Sequence, residues 1–234
     1  MWPLVALLPL APPAPLMCLA REYGVAVAEE RGAWLVRAGD VRIPWDDGAA
    51  KTPEERLEHP DVEDAFAQRY PTGPIAPVTT LDFDPGRVRL DAILRAAYPK
   101  RDLVRVDFLG HRVWFHARAV PALGRVAARL RRAMAADARL RPFVAKLGGT
   151  LNERPIAGTD RPSAHSWGIA IDLDPALSSY WRWEHHGWRN RVPQAIVDAF
   201  EAEGFIWGGR WFHFDTMHFE YRPELLDPAC YPSP

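Results

Sequence analysis

A chain of 234 residues, 48% hydrophobic and 25% charged, can bury one sizeable core, as a single generous domain or a domain with a small companion. A formal net charge of -1 offers polyanions no attraction, so nucleic acid is not expected as a partner. With only two cysteines, Cys18 and Cys230, neither a disulfide framework nor a cysteine-rich zinc site is implied.

The first twenty residues, Met1 to Ala20, carry no charge and are rich in Leu, Ala and Pro. They read as the apolar part of an export signal, with Cys18-Leu-Ala20 placing small residues where a signal peptidase cuts. A disordered leader and an apolar arm packed on the domain are the other readings, and the lack of an N-terminal Lys or Arg counts against a signal. Prolines at 3, 9, 12, 13 and 15 exclude a comfortable transmembrane span. An exported protein of the periplasm or cell envelope is expected, or a cytoplasmic one if the leader is no signal.

Residues 25–28 and 33–45 read as short strands turning at Gly32 and Gly39-Asp40. Thr52 then caps a helix with Pro53 and two acids in its first turn. Residues 61–68 read as short helical or irregular structure, and residues 70–77, with three prolines, as a linker. This divides the chain into a possible signal peptide (1–20), a small N-terminal region (21–75) and a main domain (76–234). The N-terminal region could anchor the protein, cover a cleft or merely extend the structure.

Beyond the linker come an amphipathic helix at 90–98 and two strands, 103–108 and 111–117, joined at Gly110. Leu123, Val126, Ala127, Leu130 and Met134, at three- and four-residue spacing, predict a helix over 120–136. Another spans 193–203 and stops at Gly204. Helices and strands mix without a regular strand-helix-strand repeat, which predicts an α+β fold with a small antiparallel sheet flanked by helices.

Two stretches carry the chemistry. In Ser163-Ala-His165-Ser-Trp-Gly-Ile-Ala-Ile-Asp172, the alternation of Ile169, Ile171 and Leu173 with Ala170, Asp172 and Asp174 predicts a strand that points Asp172 away from the core. His165 precedes Gly168, whose backbone freedom could bring the imidazole back over that strand. In Asp215-Thr-Met-His218-Phe-Glu220-Tyr, His218 and Glu220 share one face and Met217, Phe219 and Tyr221 the other. Asp215 would face the opposite way on a regular strand, so a bend near Thr216 should leave it beside the site. Two histidines and one carboxylate with an open fourth position make a catalytic rather than a structural zinc site. Glu220 could orient an imidazole as an outer acceptor.

The pattern Ser-x-His-x-x-Gly-x-Ala-x-Asp followed by Asp-x-x-His resembles the zinc D-alanyl-D-alanine carboxypeptidases and L-alanyl-D-glutamate endopeptidases of bacterial cell-wall metabolism, the VanY-type enzymes among them. Residues 149–161 resemble the segment leading into the first histidine of that family, and residues 204–211 the one leading into the second. The resemblance implies Zn2+ on His165, Asp172 and His218, with Asp215 as general base. It places Arg154 where an arginine steadies the scissile carbonyl or its oxyanion, and Ser163 as a polar residue beside the site. It also implies a compact fold of the DD-peptidase/hedgehog-like kind.

The activity so implied is hydrolysis of peptidoglycan stem peptides, first as a D-alanyl-D-alanine carboxypeptidase. An L-alanyl-D-glutamate endopeptidase, or a cell-wall binding module retaining the fold, is the alternative. Arg161 or Arg154 could receive a terminal carboxylate. A monomer is expected. His213 is the main rival ligand, since His213-Phe-Asp215 also offers two ligand types on one face. The pair His185-His186 falls in a tryptophan-rich insertion, and His59, His111 and His116 lack partners at ligand spacing.

Overall fold

The computed structural model describes residues 11–156, 161–184 and 187–231. Its first helix, α1 (Ala14–Tyr23), carries Pro15 in the opening turn and ends at Gly24, left-handed at φ 70°. Leu16 and Leu19 are buried in the core. Cys18 is bonded to Cys230, with Cα atoms 5.5 Å apart. One reading from the sequence is thereby corrected. The chain holds a disulfide, which no spacing rule could reveal because its cysteines lie 212 residues apart. The expected cleavage site, Cys18-Leu-Ala20, lies within this helix, and a cut after Ala20 would remove half the disulfide. Residues 1–10 of the leader lie outside the described residues.

Strands β1 (Ala26–Glu30), β2 (Ala33–Ala38) and β3 (Val41–Pro44) form an antiparallel meander. Helix α2 (Pro53–Glu58) starts with a capping box in which Thr52 and Glu55 satisfy each other's backbone donors. In α3 (Val62–Phe66), Asp61 and Asp64 do the same. Residues 70–77, expected as a linker, carry no helix or strand. Side chains hold them instead: Arg210 donates to the Gly73 and Pro74 carbonyls at 2.6 and 3.0 Å, and Gln194 accepts from Ile75 N–H at 2.7 Å.

Helix α4 (Asp91–Ala97) is followed by the hairpin of β4 (Leu103–Phe108) and β5 (His111–His116), turning at Leu109-Gly110. Helix α5 (Val120–Ala136) buries Leu123, Val126, Ala127 and Leu130, the stripe its spacing predicts. After α6 (Arg141–Ala145) come β6 (Leu147–Gly149), β7 (Ala170–Leu173), α7 (Gln194–Glu201), β8 (Phe205–Trp207) and β9 (His218–Tyr221). The last four strands form an antiparallel sheet in the order β6-β7-β9-β8. The fold is α+β, as the sequence predicts.

That sheet is two-sided. Phe219 on β9 stacks on Phe200 of α7 with ring centroids 4.0 Å apart, and Ile171, Phe205 and Trp207, which the register places on the same face, are fully buried. Period-two alternation therefore sends Asp172, His218 and Glu220 to the other face. Among the described residues no helix is long and apolar enough to cross a membrane.

Candidate metal centre

Register brings two of the three ligand candidates together. Asp172 on β7 pairs directly with His218 on β9, and Ala170 with Glu220. Residues paired across an antiparallel ladder hold their Cβ atoms about 4.5–5.5 Å apart on one face, close enough to share an ion. The third arrives by a turn. Residues Ala164–Trp167 form a 3-10 turn closed by Gly168, left-handed at φ 66°. A side chain at Gly168 would run into Leu103 and approach His116 N at 3.2 Å, so glycine is needed there for both conformation and space.

The result is a small triangle. His165 Nε2 lies 3.2 Å from Asp172 Oδ1 and 3.2 Å from His218 Nδ1, and His218 Nδ1 lies 3.1 Å from Asp172 Oδ1. Each imidazole has its other nitrogen engaged. His165 Nδ1–H donates to the Thr150 carbonyl at 2.6 Å, and His218 Nε2–H donates to Glu220 Oε2 at 3.1 Å. These bonds fix both neutral tautomers and leave bare lone pairs on His165 Nε2 and His218 Nδ1. In those tautomers three lone-pair atoms converge, an arrangement that a shared cation, a proton or a metal ion, relieves. Ligands about 2.0–2.1 Å from a tetrahedral zinc ion stand about 3.3 Å apart, so the spacing fits that ion.

The electrostatics point the same way. Burial works against a charge on His218, but Asp172 at one nitrogen and Glu220 at the other raise its pKa to about 10. Burial also works against Asp172, yet the two imidazoles hold it well below the usual carboxylate range. Glu220 is held at about 2 despite its burial by His218, Arg89 and Arg222. The pocket favours positive charge at its centre, whether a proton or a metal that displaces it.

Asp215 stands apart from the triangle. It pairs with Tyr180 in an isolated bridge, and the chain then turns through Thr216 and Met217, with His218 N–H donating to the Asp215 carbonyl at 3.2 Å. Thr216 is locked by Ser179, whose N–H donates to its hydroxyl at 2.7 Å. Asp215 lines the same cleft as the triangle, a cavity of about 270 Å³, and its Oδ1 is buried with no hydrogen-bond partner among the described residues. Burial, and secondarily the charge of Asp172, push its carboxyl up to about 6. A buried carboxylate with one oxygen unpartnered, lining a cleft, is disposed to take a proton.

The remaining candidates divide. Arg154 is exposed at the cleft and makes no side-chain ion pair among the described residues. Arg161 also lines the cleft, but its Nε and Nη2 are bound to both oxygens of Asp91, at 3.1 and 3.0 Å. The Ser163 hydroxyl accepts from His165 N–H at 3.4 Å and so caps the turn that carries the histidine. His213 lines the cleft outside the triangle, because Asp84 holds its Nδ1 at 2.6 Å and its backbone N–H at 2.9 Å. His185 and His186 lie outside the described residues.

Several participants were not foreseen. The Thr150 carbonyl is a backbone group and leaves no sequence signal. Glu54, Leu57 and Glu58 of α2 form part of the cleft wall, which makes the N-terminal region a neighbour of the site. Arg222 and Glu224 continue the alternation that begins at His218 and Glu220, and that period could have marked them.

The family described as D-alanyl-D-alanine carboxypeptidase matches residues 157–221, a span that contains His165, Asp172, Asp215, His218 and Glu220. The resemblance read from the motifs is thus shown for this stretch, with Arg154 just outside it. No curated protein and no solved structure matches the chain.

Proposed function

We propose that this protein is a zinc-dependent peptidase acting on peptidoglycan stem peptides, with D-alanyl-D-alanine carboxypeptidase activity as the leading assignment. The match to a peptidase family supports the reaction class. The observation that carries the metal reading is the convergence of His165 Nε2, His218 Nδ1 and Asp172 Oδ1, at 3.1–3.2 Å from one another, in tautomers fixed by Thr150 and Glu220.

A zinc ion in such a donor set supplies Lewis acidity, polarising a carbonyl and lowering the pKa of water to about 7. Asp215 accepts the proton of the attacking water and returns it to the leaving amine, work suited to a carboxyl whose pKa has risen towards neutrality. Arg154 would meet the substrate's carbonyl oxygen or terminal carboxylate, a role that its exposure at the cleft supports. Arg161 serves less well as a carboxylate receptor, because Asp91 already takes its fork.

One observation favours the endopeptidase alternative. A second groove, lined by Arg56, Gln68 and Asp82, shares Trp181 and His213 with the cleft and would give room for a chain running beyond the scissile bond. The Cys18–Cys230 disulfide supports an oxidising, exported location. Digestion of defined muropeptides by the zinc-loaded chain, followed by mass analysis, tests the assignment. Release of D-alanine identifies the carboxypeptidase, a cut between L-alanine and D-glutamate the endopeptidase, and no cleavage with zinc bound the binding module.

A further inference from the structure

His218 is the near end of a buried string of polar groups that crosses the molecule. Its Nε2–H donates to Glu220 Oε2 at 3.1 Å, and the other oxygen of Glu220 accepts from Arg222 Nη1, also at 3.1 Å. Arg222 Nε donates to Glu224 Oε1 at 2.6 Å, and Glu224 Oε2 accepts the Tyr23 hydroxyl at 2.5 Å. None of the five residues is more than 8% exposed. Tyr23 belongs to the last turn of α1, 201 residues from Glu224 in sequence. That helix is fastened by the Cys18–Cys230 bond and by Arg21, which donates to Asp227 at 2.7 Å.

Such a string is an uneconomical way to obtain stability. Buried ion pairs lose nearly as much in desolvation as they gain, and apolar residues of similar volume often serve as well. A fully satisfied string does something apolar packing cannot, because each member fixes the orientation of the next. Both oxygens of Glu220 are committed, one to Arg222 and one to His218, so the carboxylate cannot rotate away. The ring of His218 is held with its Nε2 proton on Glu220 and its Nδ1 lone pair on the triangle. Outer partners of this kind govern metal affinity.

We propose that α1 is a positioning element of the metal centre: Tyr23, acting through Glu224 and Arg222, sets the orientation of Glu220 and hence of His218, so that affinity for a divalent metal depends on the N-terminal helix. The inference rests on reading His165, Asp172 and His218 as a metal site.

The test measures zinc affinity by competition with a chromophoric chelator, and the visible spectrum of the cobalt-loaded protein, in the full chain and its variants. Tyr23→Phe and Glu224→Gln should each weaken zinc binding about 10-fold, the lower end of the range for outer partners, and shift the cobalt bands. Leu130→Ala, a cavity in α5 away from the string, should lower the melting temperature and change neither. Unaltered affinity and spectrum in folded Tyr23→Phe and Glu224→Gln would overturn the proposal, as would an equal loss in Leu130→Ala. Should Glu224→Gln fail to fold, Tyr23→Phe, which removes one hydroxyl, decides alone. If the wild-type chain binds no zinc, or His165→Ala binds it as the wild type does, the metal reading itself fails.

Discussion

Breaking the Cys18–Cys230 bond should lower stability substantially while leaving the native arrangement in place. The bond closes a loop with a sequence separation of 212. On the chain-entropy expression, a loop of that length removes about 18 cal/mol/K from the unfolded chain, or about 5 kcal/mol at 25 °C. Unfolding entropy of about 2.1 cal/mol/K per residue converts this to a fall in melting temperature of about 10 °C for a chain of this length. In the reduced protein α1 keeps Leu16, Leu19 and Tyr23 buried, so its docking should survive and the effect should appear as easier global unfolding. Thermal melts followed by circular dichroism, with and without reductant and for the Cys18→Ser/Cys230→Ser variant, measure it. A shift below about 2 °C would refute the entropic argument on which the estimate rests. Free thiols at both positions in protein folded under oxidising conditions would refute the pairing itself.

Asp215→Ala should retain zinc and lose about 10²–10⁴-fold in turnover, the scale of a removed general base, as steady-state kinetics and metal analysis will register. Since a base works only when ionised, and burial pushes the Asp215 carboxyl up to about 6, kcat/KM should fall as pH drops through that region. A bound cation favours the ionised form and moves this limb lower, and Asp215→Ala should flatten it. Gly168→Ala, at φ 66° beneath Leu103, should cost about 1–2 kcal/mol for the left-handed backbone alone and weaken zinc binding by shifting His165, measurable by denaturant titration and chelator competition. Arg154→Ala should impair catalysis at unchanged melting temperature, whereas Arg161→Ala, which leaves Asp91 without its bidentate partner, should lower the melting temperature.

Much of this was legible because it is periodic or local. The stripe from Leu123 to Leu130 specifies α5, Thr52 and Glu55 specify the start of α2, and the alternation around Asp172 and His218 places both side chains on one sheet face. The order of pairing was not legible. That β7 lies against β9 with Asp172 opposite His218 depends on packing between segments 46 residues apart. Partners distant in sequence left still less trace. Cys18 and Cys230, Tyr23 and Glu224, and Arg161 and Asp91 each meet through tertiary structure alone. The apolar run at residues 14–20 is ambiguous in sequence because a core helix and an export signal share a composition, and the helix with its Cys18 bond across the molecule comes from tertiary structure.

Metal content per chain, determined on the full-length protein and on single variants after exposure to zinc, bears most directly on the site. One zinc ion per chain is expected in the wild type, in His213→Ala and in Asp215→Ala, with the ion lost from His165→Ala, Asp172→Ala and His218→Ala. Loss of zinc from His213→Ala, or a full complement retained by His218→Ala, would contradict the assignment.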